Sequence, residues 1–153
     1  MNTLVLPLSS SRTCSTSDNS RVLVIDDDAA LLESLAEMLT IRLGRVHVDT
    51  CSNPASAEAM VRRGQYDLIL CDVWMAPVSG LTLLPQLRKA APEASIIMMS
   101  GVTNNTVRSQ ALASGATTFL PKPFDRDSLT LMLKQVLNER HLAYRRAAPR
   151  TTM

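Results

Sequence analysis

The stretch VLVIDDDAAL, residues 22–31, runs four apolar residues straight into three carboxylates, Asp26, Asp27 and Asp28. Its first half reads as a buried strand, being short, β-branched and free of polar alternation. Its second half opposes folding, because crowded like charges raise one another's pKa values unless a cation or protons relieve them. The stretch thus predicts both a fold element and a cation-binding role for the acids that end it.

The same kind of segment recurs along the chain. RVLVID (21–26), RVHVDT (45–50), YDLILCD (66–72), ASIIMMSG (94–101) and ATTFLP (116–121) read as strands. Between them lie helical patterns. In 30–43, Leu32, Leu35, Leu39 and Leu43 form an amphipathic stripe that Gly44 stops. Asn53-Pro54 combines a capping residue with a first-turn proline and opens a helix ending near Gly64. A third helix reaches about Ala90, and Pro85 predicts that it begins late or bends, because proline cannot donate to the carbonyl four residues back. Residues 103–115 and 125–140 supply the fourth and fifth, the last with Leu129, Leu133, Val136 and Leu137 on one face. Five β-α repeats with apolar strands predict an α/β fold, a single doubly wound domain with a central five-stranded parallel sheet of flavodoxin-like type.

Composition agrees with one ordinary globular unit. The chain has 153 residues, 46% of them hydrophobic and 20% charged. Residues 1–20, rich in Ser and Thr, read as a flexible leader, 21–140 as the folded domain and 141–153 as a basic tail. Residues 21–139 hold 11 Lys/Arg against 13 Asp/Glu, whereas residues 140–153 add Arg140, Arg145, Arg146 and Arg150 with no acid. This tail is a weak nucleic-acid signal, so no direct nucleic-acid binding is expected. Cys14, Cys51 and Cys71 lack metal-ligand spacing and suit a reducing compartment. No apolar run approaches the ~18 residues that span a bilayer, so a cytoplasmic location without membrane insertion is expected.

In a doubly wound sheet the ligand site lies beyond the carboxyl ends of the strands. The first strand delivers Asp26, Asp27 and Asp28 there, the third Asp72, the fourth Ser100 and the fifth Lys122. Carboxylates without His or Cys suit a hard cation such as Mg²⁺. An aspartate beside that cation can attack phosphorus, while a lysine and a hydroxyl stabilise the spread negative charge. Each residue alone has an ordinary explanation: a loop acid, a solvated lysine, a serine capping a turn. His47 and His141 read as strand and surface residues. Convergence of the whole set from separate strands carries the argument.

The pieces VLVIDDD, LILCDVWMAPVSGL, IIMMSG and FLPKPF closely resemble the response-regulator receiver domain of two-component signalling, over about residues 21–138. The resemblance implies that Asp72 is the phosphoacceptor and that Asp26 and Asp27 are the acidic pair. Mg²⁺ (or Mn²⁺) would be held by Asp26, Asp27, Asp72 and the backbone carbonyl of Trp74. It implies that Ser100 is the switch hydroxyl, Phe119 the switch aromatic, and Lys122 the phosphate contact that pairs with Asp72 when phosphate is absent. Asp28 need not touch the metal, and Lys122-Pro123 is implied to be cis. Implied partners are a sensor histidine kinase or histidine phosphotransfer protein, and a downstream protein docking on the face of the fourth helix, fifth strand and fifth helix. The protein is expected to be a stand-alone, chemotaxis-regulator-like switch, not an enzyme beyond its own phosphorylation and slow self-dephosphorylation.

The sequence departs from the family at Ala76-Pro77, where proline is usual one residue earlier, so a locally altered loop is expected. Phe119 lacks the hydroxyl of the commoner tyrosine. Trp74, large and apolar, is expected to shield an acyl phosphate from water. Two other functions fit less of the chain. A haloacid-dehalogenase-type phosphatase would use Asp26 and Asp28 but leaves Asp72 unexplained and has Ala30 where Thr or Val is expected. A phosphorylation-independent binding module of the same fold would ordinarily have lost part of the site.

Overall fold

The computed structural model describes residues 19–102 and 104–147. Five strands, β1 (Ser20–Ile25), β2 (Val46–Cys51), β3 (Leu68–Asp72), β4 (Ser95–Ser100) and β5 (Thr118–Pro121), alternate with five helices. These are α1 (Ala29–Leu43), α2 (Pro54–Gly64), α3 (Gly80–Ala90), α4 (Asn105–Ala113) and α5 (Arg126–Ala147). The strands form one sheet in the order β2-β1-β3-β4-β5, and every pairing is parallel. This is the doubly wound, flavodoxin-like arrangement that the β-α alternation predicts.

Strand pleating divides the core. Val22, Val24, Leu68, Leu70, Ile97 and Met99 face one side, where they pack on Leu32, Leu35 and Leu39 of α1 and Leu129, Leu133 and Leu137 of α5. Leu23, Ile25, Ile69, Cys71, Ile96 and Met98 face the other, against Ala57 and Val61 of α2, Leu83, Leu84 and Leu87 of α3, and Val107 and Ala111 of α4. Apolar residues at consecutive positions are therefore buried on both faces, which is why these strands show no alternation.

Helix starts follow local chemistry. The side chains of Asp28, Asn53, Ser79 and Asn104 each accept a backbone N–H in the first turn of α1, α2, α3 and α4. Gly44 ends α1 with φ +74°, in the left-handed region that glycine adopts without penalty.

Three boundaries differ from the sequence reading. β1 begins at Ser20 inside the expected leader, because the Ser20 N–H donates to the Arg45 carbonyl at 3.0 Å and the residue is buried. α3 begins at Gly80 and carries Pro85 within it, so of the two expectations, a late start or a bend, the late start is not what is found; burial of Leu83, Leu84 and Leu87 outweighs one missing helical bond. α5 continues to Ala147, seven residues into the expected tail. Its extension is tied down where Arg140 Nε meets Asp67 Oδ1 at 3.0 Å and His141 Nε2 meets Ser20 Oγ at 3.2 Å. The remainder of the leader, with Cys14, and the tail beyond residue 147 lie outside the described residues.

The turn from β3 into α3 is unusually close. The Gly80 N–H and the Ser79 hydroxyl both donate to the Val73 carbonyl, at 2.8 and 3.1 Å. A methyl group on Gly80 would lie 2.0 Å from the Asp72 carbonyl oxygen and 3.0 Å from Met98 Cε. Gly80→Ala must push backbone apart at the site's central strand, and we expect a loss of about 2 kcal/mol or more of unfolding free energy. Urea unfolding of the variant checks this.

Candidate functional site

The carboxyl ends of β1 and β3 are neighbours in the sheet, Ile25 opposite Cys71. The residues that follow therefore meet. Oxygen atoms from Asp26, Asp27 and Asp72 lie within 4.8 Å of one another. Asp26 and Asp72 are buried, at 1% and 6% exposure, while Asp27 is exposed. Such an oxygen-only set, with one carboxylate open to solvent, fits a hard divalent cation better than a zinc-type site.

Lys122 enters from the end of β5. Its backbone N–H donates to the Ser100 carbonyl at 2.7 Å, which fixes it beside β4. Its ammonium lies 2.9 Å from Asp26 Oδ2 and 3.4 Å from Asp72 Oδ1. The closer partner is Asp26, so the lysine bridges both acids instead of pairing with Asp72 alone. The other Asp26 oxygen accepts the Asp28 N–H at 2.9 Å. The Asp28 side chain turns away and caps α1 through the Leu31 N–H. An Asp26/Asp28 pair of the phosphatase kind is not assembled.

The electrostatics follow from this crowding. Burial, then the charge of Asp26, holds the Asp72 carboxyl above the usual range, against the opposing pull of Lys122 and the Trp74 backbone N–H. Burial acts to lower the Lys122 pKa, but the hydrogen bond and charge of Asp26, with those of Asp72, leave it raised. The pocket thus pairs a carboxyl held above its usual range with a lysine held above its own.

Other residues from the sequence reading fall as follows. Ser100 is fully buried at the end of β4, and its hydroxyl is engaged with Trp74 and Val102: it accepts the Trp74 indole N–H at 3.1 Å and the Val102 N–H at 3.1 Å, and donates to the Val102 carbonyl at 3.3 Å. Phe119 is already packed inward, 7% exposed, with the α2–α4 side of the core. Trp74 is about half exposed, 54%, although its indole is anchored. Lys122-Pro123 is cis, and so is Ala76-Pro77 in the loop expected to be altered. That loop is fastened to the acids, the Ala76 N–H donating to Asp27 Oδ2 at 3.3 Å. His47 bonds Asp49 and His141 bonds Ser20, both remote from the pocket in role. Sequence reasoning missed the Trp74–Ser100 bond and the requirement for glycine at position 80. The spacing from Asp72 to Gly80 was the only available signal for the second.

A doubly wound domain with acids, a hydroxyl and a lysine gathered at one sheet edge defines a phosphoryl-handling α/β switch class. Residues 22–134 match the family model of the response regulator receiver domain, and the chain belongs to that family. It is similar to the DNA-binding transcriptional regulator NtrC of Azospirillum brasilense, with 38% identity over 117 residues, covering 76% of this chain and 24% of that protein. The chain spans about a quarter of the length of the curated relatives it matches first. Among solved structures, a CheY-like response regulator receiver domain protein from Methanospirillum hungatei JF-1 superposes with a TM-score of 0.76 at 26% identity, covering 81% of this chain and 98% of that one. A response regulator protein from Burkholderia pseudomallei, solved with a phosphorylated aspartic acid, calcium ion and citrate, gives a TM-score of 0.70 at 27% identity, covering 85% and 75%. Residues 22–134 are thus a response regulator receiver domain by family. No described helix is long and apolar enough to cross a membrane.

Lys122→Met leaves two buried carboxylates without a counter-charge. In buffer free of divalent ions we expect it to lower the unfolding free energy by ~3 kcal/mol, read from urea denaturation, with Mg²⁺ restoring part of the loss.

Proposed function

We propose that Asp72 accepts a phosphoryl group from a sensor histidine kinase or a histidine phosphotransfer protein, and that the modified domain signals through a protein-interaction face. The observation that carries this reading is the meeting of Asp26, Asp27 and Asp72 within 4.8 Å, bridged by Lys122. The Burkholderia pseudomallei relative, with its phosphorylated aspartic acid and divalent cation, supports it.

An Asp72 oxygen forms a bond to phosphorus as the bond from phosphorus to the donor's histidine nitrogen breaks, and the electron pair stays on that nitrogen. The product is an aspartyl phosphate. Asp26, Asp27 and Asp72 would hold Mg²⁺ (or Mn²⁺) together with the Trp74 backbone carbonyl. When bound, the ion supplies positive charge that offsets the carboxylates and the incoming phosphoryl oxygens. Lys122 donates to a phosphoryl oxygen from the position it now holds between Asp26 and Asp72. Catalysis here is mostly positioning and electrostatics, so no general base is needed. The domain turns over no external substrate beyond its own phosphorylation and slow dephosphorylation.

The signal is a population shift, whose size equals the differential interaction of the phosphoryl group with the two states. The contact from the Ser100 hydroxyl exists only after it turns toward Asp72. Phe119 is already inward, so the movement resides mainly in Ser100 and the loop after it. That movement reshapes the face of α4, β5 and α5, where a downstream protein would dock. The domain would act in the cytoplasm, where the kinases of such systems present their phosphohistidine.

Two outcomes test this. With Mg²⁺ and a phosphohistidine donor, wild-type protein is labelled up to one phosphoryl per chain and Asp72→Asn is not; a labelled Asp72→Asn variant refutes the acceptor assignment. Trp74→Asn removes the bulk beside the acyl phosphate and is expected to speed phosphate loss severalfold in a single-turnover decay assay.

A further inference from the structure

The Ser100 hydroxyl has one proton and two lone pairs. All three are used in this structure: the proton on the Val102 carbonyl, the lone pairs on the Val102 N–H and the Trp74 indole N–H. Val102 is the residue's local turn partner, two positions along. Trp74 is not local; it follows β3, and its indole reaches across to the end of β4. The ring is half exposed, so its placement is not explained by burial of its apolar surface. The bond to Ser100 is its directional anchor.

We infer that Trp74 is a positioning residue for the switch: its indole N–H holds the Ser100 hydroxyl in its bonds to Trp74 and Val102, and release of this bond limits how readily the phosphoryl-bearing state forms. The inference rests on the receiver reading, since it needs Asp72 to carry the group that Ser100 approaches. When Ser100 turns, the indole N–H loses its partner and passes to water, which its exposure permits. The latch therefore weakens the active state by about the net worth of one hydrogen bond, without blocking it. Apparent affinity for a phosphoryl group or its analogue falls in proportion to the fraction of molecules with Ser100 already free.

Trp74→Phe keeps the ring and deletes the donor. Beryllofluoride with saturating Mg²⁺ serves as the phosphoryl analogue, and its binding is followed by fluorine NMR. We expect Trp74→Phe to bind it about fivefold more tightly than wild type. Against a Ser100→Ala background, the same change should have no effect, because the latch has already lost its acceptor. Trp74 is the chain's single tryptophan, so emission reports on it alone. Acrylamide should quench the wild-type indole more strongly with beryllofluoride than without it, and the Ser100→Ala protein equally in both conditions. Unchanged affinity in Trp74→Phe, an equal gain in the Ser100→Ala background, or quenching indifferent to beryllofluoride overturns the latch while leaving the receiver reading intact. Wild-type protein that binds no beryllofluoride overturns that reading, and the latch with it.

Discussion

Two buried carboxylates and one half-buried lysine organise this domain. Asp26 and Asp72 end adjacent strands and are nearly inaccessible to water. Leaving two such charges uncompensated costs several kcal/mol, a large share of a typical domain's net stability. Lys122 offsets that cost by bonding both, at 2.9 and 3.4 Å. The lysine reaches them across the end of β4, with its backbone tied to Ser100. Strand order, the length of the β5 loop and the acidity of β1 and β3 are therefore parts of one electrostatic arrangement.

That arrangement also prepares the pocket for chemistry. Burial, then the charge of Asp26, keeps the Asp72 carboxyl above its ordinary range despite the lysine. A pocket with residual negative charge, oxygen donors and one exposed carboxylate attracts a small divalent cation. In the proposed switch, a cation and a dianionic phosphoryl group would redistribute the bonds of the lysine and of Ser100, an exchange of hydrogen-bonding partners among a few groups. Such a rearrangement suits a signal of modest free energy that has to be reversible.

The loop between β3 and α3 links acceptor and switch. It begins at Asp72, sends the Trp74 indole to Ser100, touches Asp27 through the Ala76 N–H and closes where Gly80 presses on the Asp72 carbonyl. Phe119, which lacks a hydroxyl, is packed with the core.

The sequence by itself determined the fold and the membership of the pocket. Apolar strands without alternation require a sheet covered on both faces, and β-α alternation with right-handed crossovers leaves little choice of topology. That topology places the ends of β1, β3, β4 and β5 at one edge, so Asp26, Asp27, Asp72, Ser100 and Lys122 could be gathered from residue order alone. Tertiary structure alone decided how they are shared: Lys122 nearer Asp26 than Asp72, Asp28 spent on a helix cap, α5 carried on to Ala147, and Ser100 held by Trp74. Periodicity records which face of an element is buried. It does not record the direction of a hydrogen bond or the choice between two nearby acids, because these depend on a few tenths of an ångström between residues far apart in the chain.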